Sequence, residues 1–215
     1  MQIEIYKLDD VEKKIRTRKL YEQNFDINDT KFIDYYYDNI IRRNEIVCMV
    51  EGDEILSMVH LNPYTYCIFG KEAIIHYLVA VATDEKHRGK GLMTKVLSCA
   101  IEYLESKNEP FCYVMPNNDA LKNTYGKFGF EEICKFNIDK FSNEKYDVFP
   151  VNTKEYVGLM KKEQEFLDLE TEDYKNDLKG KIVMAKVLSS SFTLPDKKFS
   201  IDLLKGSKVY ICQEV

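Results

Sequence analysis

The sequence predicts a fold of the α/β or α+β class built on a mixed sheet, and three observations carry that expectation. Runs of alternating or β-branched residues are interleaved with amphipathic stretches of helical period along most of the chain. Gly52 and Asp53 separate two such runs, EIVCMVE and EILSMVHL, as the turn of a hairpin. The run AIIHYLVAVAT at residues 73–83 is apolar on both faces, the pattern of a mid-sheet strand covered on two sides.

The chain opens with IEIYK as a short strand. Asp9 and Glu12 then have capping spacing for a helix to about Gln23. In KFIDYYYDNIIRR, Phe32, Tyr36 and Ile40 recur every four residues, which predicts a second helix with packing tyrosines. After the hairpin and the central strand, Leu92, Val96, Leu97, Ala100, Ile101 and Leu104 form one apolar stripe of a long helix. PFCYVM reads as a strand, PNNDALKNTYGKF as a turn and short helix, and GFEEICKFNI as another strand. Beyond residue 141 a helix capped at Asn152 and running to about Leu169 is expected. The strand KIVMAKVL follows, then a terminal hairpin formed by FSIDLL and VYICQEV. The expected division is thus a domain at 1–141 and a small, β-rich helix-plus-strands extension at 142–215 that packs on it.

Composition excludes several function classes. With 45% hydrophobic and 31% charged residues the chain reads as an ordinary folded protein. Its net charge of -5 lacks the basic excess of a nucleic-acid binder and favours a cationic partner. No apolar run approaches the roughly 20 residues of a membrane helix, and MQIEIYKLDD lacks the layout of a signal peptide. Neither nucleic acid nor membrane is therefore an expected partner, and the cytoplasm is the expected address. The six cysteines stand singly, without CxxC spacing and with only three histidines to complete a metal site, so they read as reduced thiols and no metal is expected.

The chemistry sits in VATDEKHRGKGLMTKVL, where a strand runs through Arg88, Gly89, Lys90 and Gly91 into the long helix. Glycines permit positive φ and close approach of a ligand, and the first N–H groups of a helix are unpaired and partly positive. Such a place suits phosphate, and the cationic Arg88 and Lys90 suit a pyrophosphate. Four residues alone are also what a solvated basic turn looks like. Neither a P-loop GxxxxGK[ST] nor a GxGxxG dinucleotide fingerprint is present.

At this point the sequence resembles the GCN5-related N-acetyltransferases (GNAT), whose signature R/Q-x-x-G-x-G/A stands here as Arg88-Gly89-Lys90-Gly91-Leu92-Met93. A second match follows in ALKNTYGKFGFEE, which looks like the family's fourth helix and its Y-x-x-F/L-G-F ending. The likeness is specific over about residues 73–135. Met93 in place of a small residue is similar to the enhanced-intracellular-survival branch, in which the terminal carboxylate is implicated. That would make Val215 a candidate, although this tail is much shorter than that branch's lipid-carrier-like domain.

The resemblance implies a mostly antiparallel central sheet flanked by helices, with acetyl-CoA as co-substrate. It implies that backbone groups of Val81, Ala82 and Thr83 pair with the pantetheine arm. The N–H groups of Gly89, Lys90, Gly91, Leu92, Met93 and Thr94, with Arg88 beside them, would hold the pyrophosphate. Asn117 and Asn118 would touch pantetheine, though Asn118 also reads as a helix cap. Tyr125 takes the place of the family tyrosine that protonates the departing thiolate, and a half-buried core tyrosine is the other reading. His76 lies where some members have a base, and a satisfied core histidine is the other reading there. His60 is a weaker case. The expected activity is transfer of acetyl to a primary amine, small or peptidic and cationic, by direct attack in a ternary complex. Asp26, Asp29, Asp34 and Asp38 suit such an acceptor. A non-catalytic acyl-CoA-binding module, or an acyltransferase using another acyl group or acceptor, is the alternative.

Overall fold

The computed structural model describes residues 1–25, 30–136, 146–151, 180–189 and 191–211. The fold is mixed α/β, with a large, mostly antiparallel sheet flanked by helices. The chain divides into two compact units, Met1–Pro63 with Tyr77–Tyr103, and Tyr64–His76 with Leu104–Val215. The expected boundary near residue 141, the helix from Asn152, Asp26, Asp29, Cys212 and Val215 all lie outside the described residues. Among the described residues no helix is long and apolar enough to cross a membrane.

The strands β1 (Gln2–Tyr6), β2 (Glu45–Glu51), β3 (Glu54–Ile68) and β4 (Lys71–Thr83) are neighbours in that order in the sheet, and the residues of β3 and β4 are divided between the two units. The β2–β3 turn is where Gly52 and Asp53 place it, with Gly52 at φ 59. The β3–β4 hairpin, longer than its sequence pattern alone suggests, turns on Phe69 and Gly70, both at positive φ. The single helix expected to Gln23 is instead two, α1 (Val11–Ile15) and α2 (Arg18–Asn24). Asp10 binds the backbone N–H of Lys7 rather than capping α1, and the buried Thr17 hydroxyl donates to the Lys14 carbonyl at 2.6 Å, in competition with the helical ladder. Helix α3 (Thr30–Tyr35) widens into a π turn over Tyr36–Ile40, so that Tyr36 and Tyr37 both point inward.

Those tyrosines belong to a buried polar network. The Tyr36 hydroxyl meets His60 Nδ1 at 2.8 Å, Asn44 donates to Asn62 at 3.0 Å, and Tyr37 pairs with Thr17. Lys14, fully buried, donates to the carbonyls of Leu8, Ile41 and Asn44. All three ammonium hydrogens are thereby used without a carboxylate, and one acceptor ends a helix whose last carbonyls are partly negative. Burial still presses the Lys14 pKa below its ordinary value.

In the second unit β5 (Phe111–Val114), β8 (Ile182–Val187) and β6 (Glu131–Lys135) are neighbours in that order, with β8 antiparallel to both. Strand β7 (Val148–Pro150) pairs with Tyr66–Ile68 of β3. The expected terminal hairpin does not form. Ser200 accepts from the Leu203 N–H at 3.2 Å and caps a short helix, α6 (Ile201–Lys205), which Gly206 ends. Ser-x-x-Leu with Asp202 in the first turn is a helix start that outweighs the alternation in FSIDLL.

His60 supplies a test of the buried network. Burial, and secondarily the charge of Lys14, lower its pKa to about 3 from an ordinary 6.5. The unfolded chain therefore binds the extra proton between those values, and the stability held by neutral His60, complete above about pH 6.5, falls as pH drops, by about 1.4 kcal/mol per unit. Urea melts from pH 7 to 5 are expected to lose that slope in His60→Gln. An unchanged slope would place the proton uptake elsewhere.

Candidate cofactor and active site

Strand β4 prepares the site through one irregular residue. Ala80 has φ 51, a left-handed conformation that a side chain adopts only at a cost of order 1 kcal/mol. After it burial alternates, with Ala82 inside and Val81 and Thr83 half-buried. Ser57 on β3 holds this end, donating to the Ala82 carbonyl at 2.9 Å and meeting the Thr83 hydroxyl at 2.9 Å.

The loop after β4 is built from its own side chains. Asp84 accepts from the Lys86 N–H and meets His87 Nδ1 at 2.8 Å, closing a 3-10 turn over Glu85–His87. The bond from His87 is the main reason the Asp84 carboxyl sits below its usual pKa. Arg88 reaches back to the Thr83 carbonyl at 3.3 Å and to Asn24 Oδ1 at 2.8 Å, at the end of α2. Part of its hydrogen-bonding capacity is thus spent on fixing the loop. Gly89 and Gly91 stand at φ 76 and 71, flanking an exposed Lys90, and helix α4 (Leu92–Ser106) begins at once. Leu92 is buried and anchors the helix, while Met93 is half-buried and Thr94 exposed. Lys95 donates to the Gly91 carbonyl, so the amides before it have no helical carbonyl to bind. Beside the loop lies a cleft of about 560 Å³, lined in part by Arg16, Lys19, Asn24 and Lys86.

The second unit contains the other candidates. Asn118 does cap α5 (Asp119–Gly126), accepting from the Leu121 N–H at 2.9 Å. With Asn117, Lys122 and Lys181 it also lines an open cavity of about 330 Å³. Tyr125 is 5% exposed and stacks edge-on against Phe130 at 5.9 Å, and burial pushes its hydroxyl up to about 12. His76 is buried, its Nδ1 2.7 Å from Glu109 Oε2, so the histidine does have a partner. Among the described residues no group of three or more His, Cys, Asp or Glu is arranged to hold a metal.

The candidates therefore fall into two sets, Val81 to Thr83 and Arg88 to Thr94 in the first unit, and His76, Asn117, Asn118 and Tyr125 in the second. Sequence reading missed Ala80, Ser57, Asn24 and Glu109. None belongs to a spaced motif, and each acts through a conformation or a contact 25 to 64 residues away.

The sequence profile of the acetyltransferase (GNAT) domain matches residues 6–133. No curated protein matches the chain. Among solved structures, an aminoglycoside 6'-acetyltransferase type Ii superposes with a TM-score of 0.56 at 12% identity, covering 91% of this chain and 100% of the other. A probable N-acyltransferase from Enterococcus faecalis V583 gives 0.53 at 16% identity, covering 62% of this chain and 33% of that one. Rv2747 from Mycobacterium tuberculosis, solved with CoA and NLQ, gives 0.51 at 13% identity, covering 87% and 99%. The chain spans about a third of the length of the Enterococcus protein, and at these identities the likeness is one of fold.

The glycine conformations can be tested without any ligand. A Cβ at Gly91 meets nothing within 4 Å, so Gly91→Ala is expected to cost only its left-handed strain, about 1 kcal/mol in urea melts. Gly126→Ala, at the end of α5 where the φ is ordinary and the space open, should gain a few tenths. Equal effects at both positions would contradict the assigned loop geometry.

Proposed function

The chain belongs to the GNAT acetyltransferase family, and we propose that it transfers the acetyl group of acetyl-CoA to a primary amine by direct attack within a ternary complex. The observation that carries this reading is the pair of left-handed glycines, Gly89 and Gly91, set in the loop between β4 and the unpaired amides of α4. Amides from Gly89 to Thr94 would bind the pyrophosphate, and the half-buried edge at Val81 to Thr83 would pair with pantetheine. Lys90 and the remaining donors of Arg88 would add charge to the phosphate site, and Asn117 with Asn118 would meet the pantetheine arm.

An ammonium has no lone pair, so it must lose a proton before it attacks the thioester; His76 is the proposed acceptor. As the C–N bond forms and the C–S bond breaks, Tyr125 serves the departing sulfur. A phenol at about 12 does not surrender its proton outright to a thiolate of ordinary pKa near 8.5. Tyr125 therefore acts as a relay, donating to sulfur while the second nitrogen proton replaces the one it gives. It stays protonated throughout the physiological range.

The proposed acceptor is a cationic small-molecule or peptide amine. One structural relative bears the name of an aminoglycoside acetyltransferase, and the net charge of -5 agrees with a cationic partner. Of the two described aspartates in the early helices, Asp34 is paired with Arg18 at 2.6 Å and Asp38 is exposed. The narrower likeness to the enhanced-intracellular-survival branch rests on Met93 alone and gains no support from the relatives, so the assignment stands at the family level.

Thiol release from acetyl-CoA over a panel of amines, with acetyl-CoA alone as blank, tests the reading. Stimulation by at least one cationic amine is expected, and release that no amine stimulates would favour a binding module. Tyr125→Phe should lower kcat about 100-fold with acetyl-CoA affinity within about twofold. Since its hydroxyl titrates near 12, the wild-type rate should show no loss from Tyr125 below about pH 10. Unchanged turnover in Tyr125→Phe would remove it from the relay.

A further inference from the structure

Three histidines occur in the chain, and their surroundings differ in kind. His87 pairs with Asp84 in a surface turn. His60 meets a phenol at Nδ1, and its Nε2 is sealed away with no partner. His76 alone carries a buried carboxylate, Glu109, at 2.7 Å from Nδ1, the two residues being 3% and 6% exposed. Its Nε2 also has no partner among the described residues, yet it is not among the sealed atoms.

We propose that Glu109 is the positioning residue that makes His76 a base, holding Nδ1–H so that the lone pair on Nε2 is free to take the acceptor amine's proton. This rests on the acetyl-transfer reading and extends it to a residue outside every motif of the sequence. An ionised carboxylate only accepts, so the ring nitrogen facing it must donate, and the tautomer follows. Charge at Glu109 also steadies the imidazolium that forms.

The backbone around Glu109 is fixed on both sides. Asn108 stands at φ 57 as the turn out of α4, with its N–H on the Glu105 carbonyl at 2.9 Å and its side chain receiving Ser191 at 3.3 Å. Pro110 follows, and its carbonyl accepts from Leu188 at 3.1 Å. Glu109 acts on the Cys112 thiol of β5, on which Lys186 of β8 and Glu105 at the end of α4 also act. Burial drives that thiol far above its usual pKa, so it stays neutral.

The proton balance closes. R–NH3+ gives one proton to Nε2, and R–NH2 attacks the acetyl carbon. The C–S bond breaks as the sulfur takes a proton through Tyr125, which is replenished by the second nitrogen proton. Amide, CoA thiol and a protonated His76 remain, and His76 returns its proton to solvent.

Glu109→Gln tests this in the full chain, with Glu109→Asp as the conservative variant. A glutamine lacks the charge and can present its NH2 to Nδ1, which moves the ring proton to Nε2. Glu109→Gln is expected to lower kcat about 10- to 100-fold with KM for acetyl-CoA unchanged, to alter the acid limb of the pH–rate profile, and to move the 15N signature of His76 away from the Nδ1–H form. Glu109→Asp should recover part of the rate. Wild-type kcat in Glu109→Gln, or a loss that follows melting temperature with the pH profile unmoved, would overturn this role and leave the acetyltransferase reading standing. A wild-type chain that transfers no acetyl group to any amine would overturn both.

Discussion

The unpaired amides at the start of α4 are the constraint around which the first unit is arranged. A helix that begins immediately after two left-handed glycines exposes several N–H groups at its partly positive end, and a folded chain gains by giving them an anion. Acidic side chains in the loop do not supply it: Asp84 turns back on Lys86 and His87. Ser57 and Arg88 tie the loop to β3, β4 and α2, so the backbone keeps its shape without drawing on the amides at the start of α4.

Buried polar groups divide into those that shape the fold and those the proposed chemistry uses. Lys14, Thr17, Tyr36, Tyr37, Asn44, His60 and Asn62 use their hydrogen bonds chiefly on one another and on helix-end carbonyls. Their burial is costly unless they are paired, and the pairing fixes one arrangement of α1, α2 and the π turn. Tyr125 and His76 differ. Burial keeps the tyrosine protonated, and one histidine nitrogen faces a buried carboxylate.

The strand and helix order of residues 45–135 was legible because its patterns are local. Gly52 and Asp53 make the turn, the apolar stripe from Leu92 makes α4, and Asn118 caps α5 as its spacing suggests. The loop at Gly89 and Gly91 was legible for the same reason: its left-handed backbone is what glycine announces. What escaped was tertiary. Thr17 breaks a helix through its own hydroxyl, and Ser200 captures a segment that alternates like a strand. Ala80 carries a φ that no local pattern predicts, and Glu109 finds His76 across 33 residues. The last two bear on the proposed function, and only folding makes them visible.

The central claim is that the α4 start and the end of β4 form a coenzyme site. It is tested most directly by following backbone amide resonances while CoA is added. Saturable shifts concentrated at Gly89–Thr94 and Val81–Thr83 are predicted, with inorganic pyrophosphate reproducing the former set but not the latter. CoA that saturates while those amides stay still would contradict it.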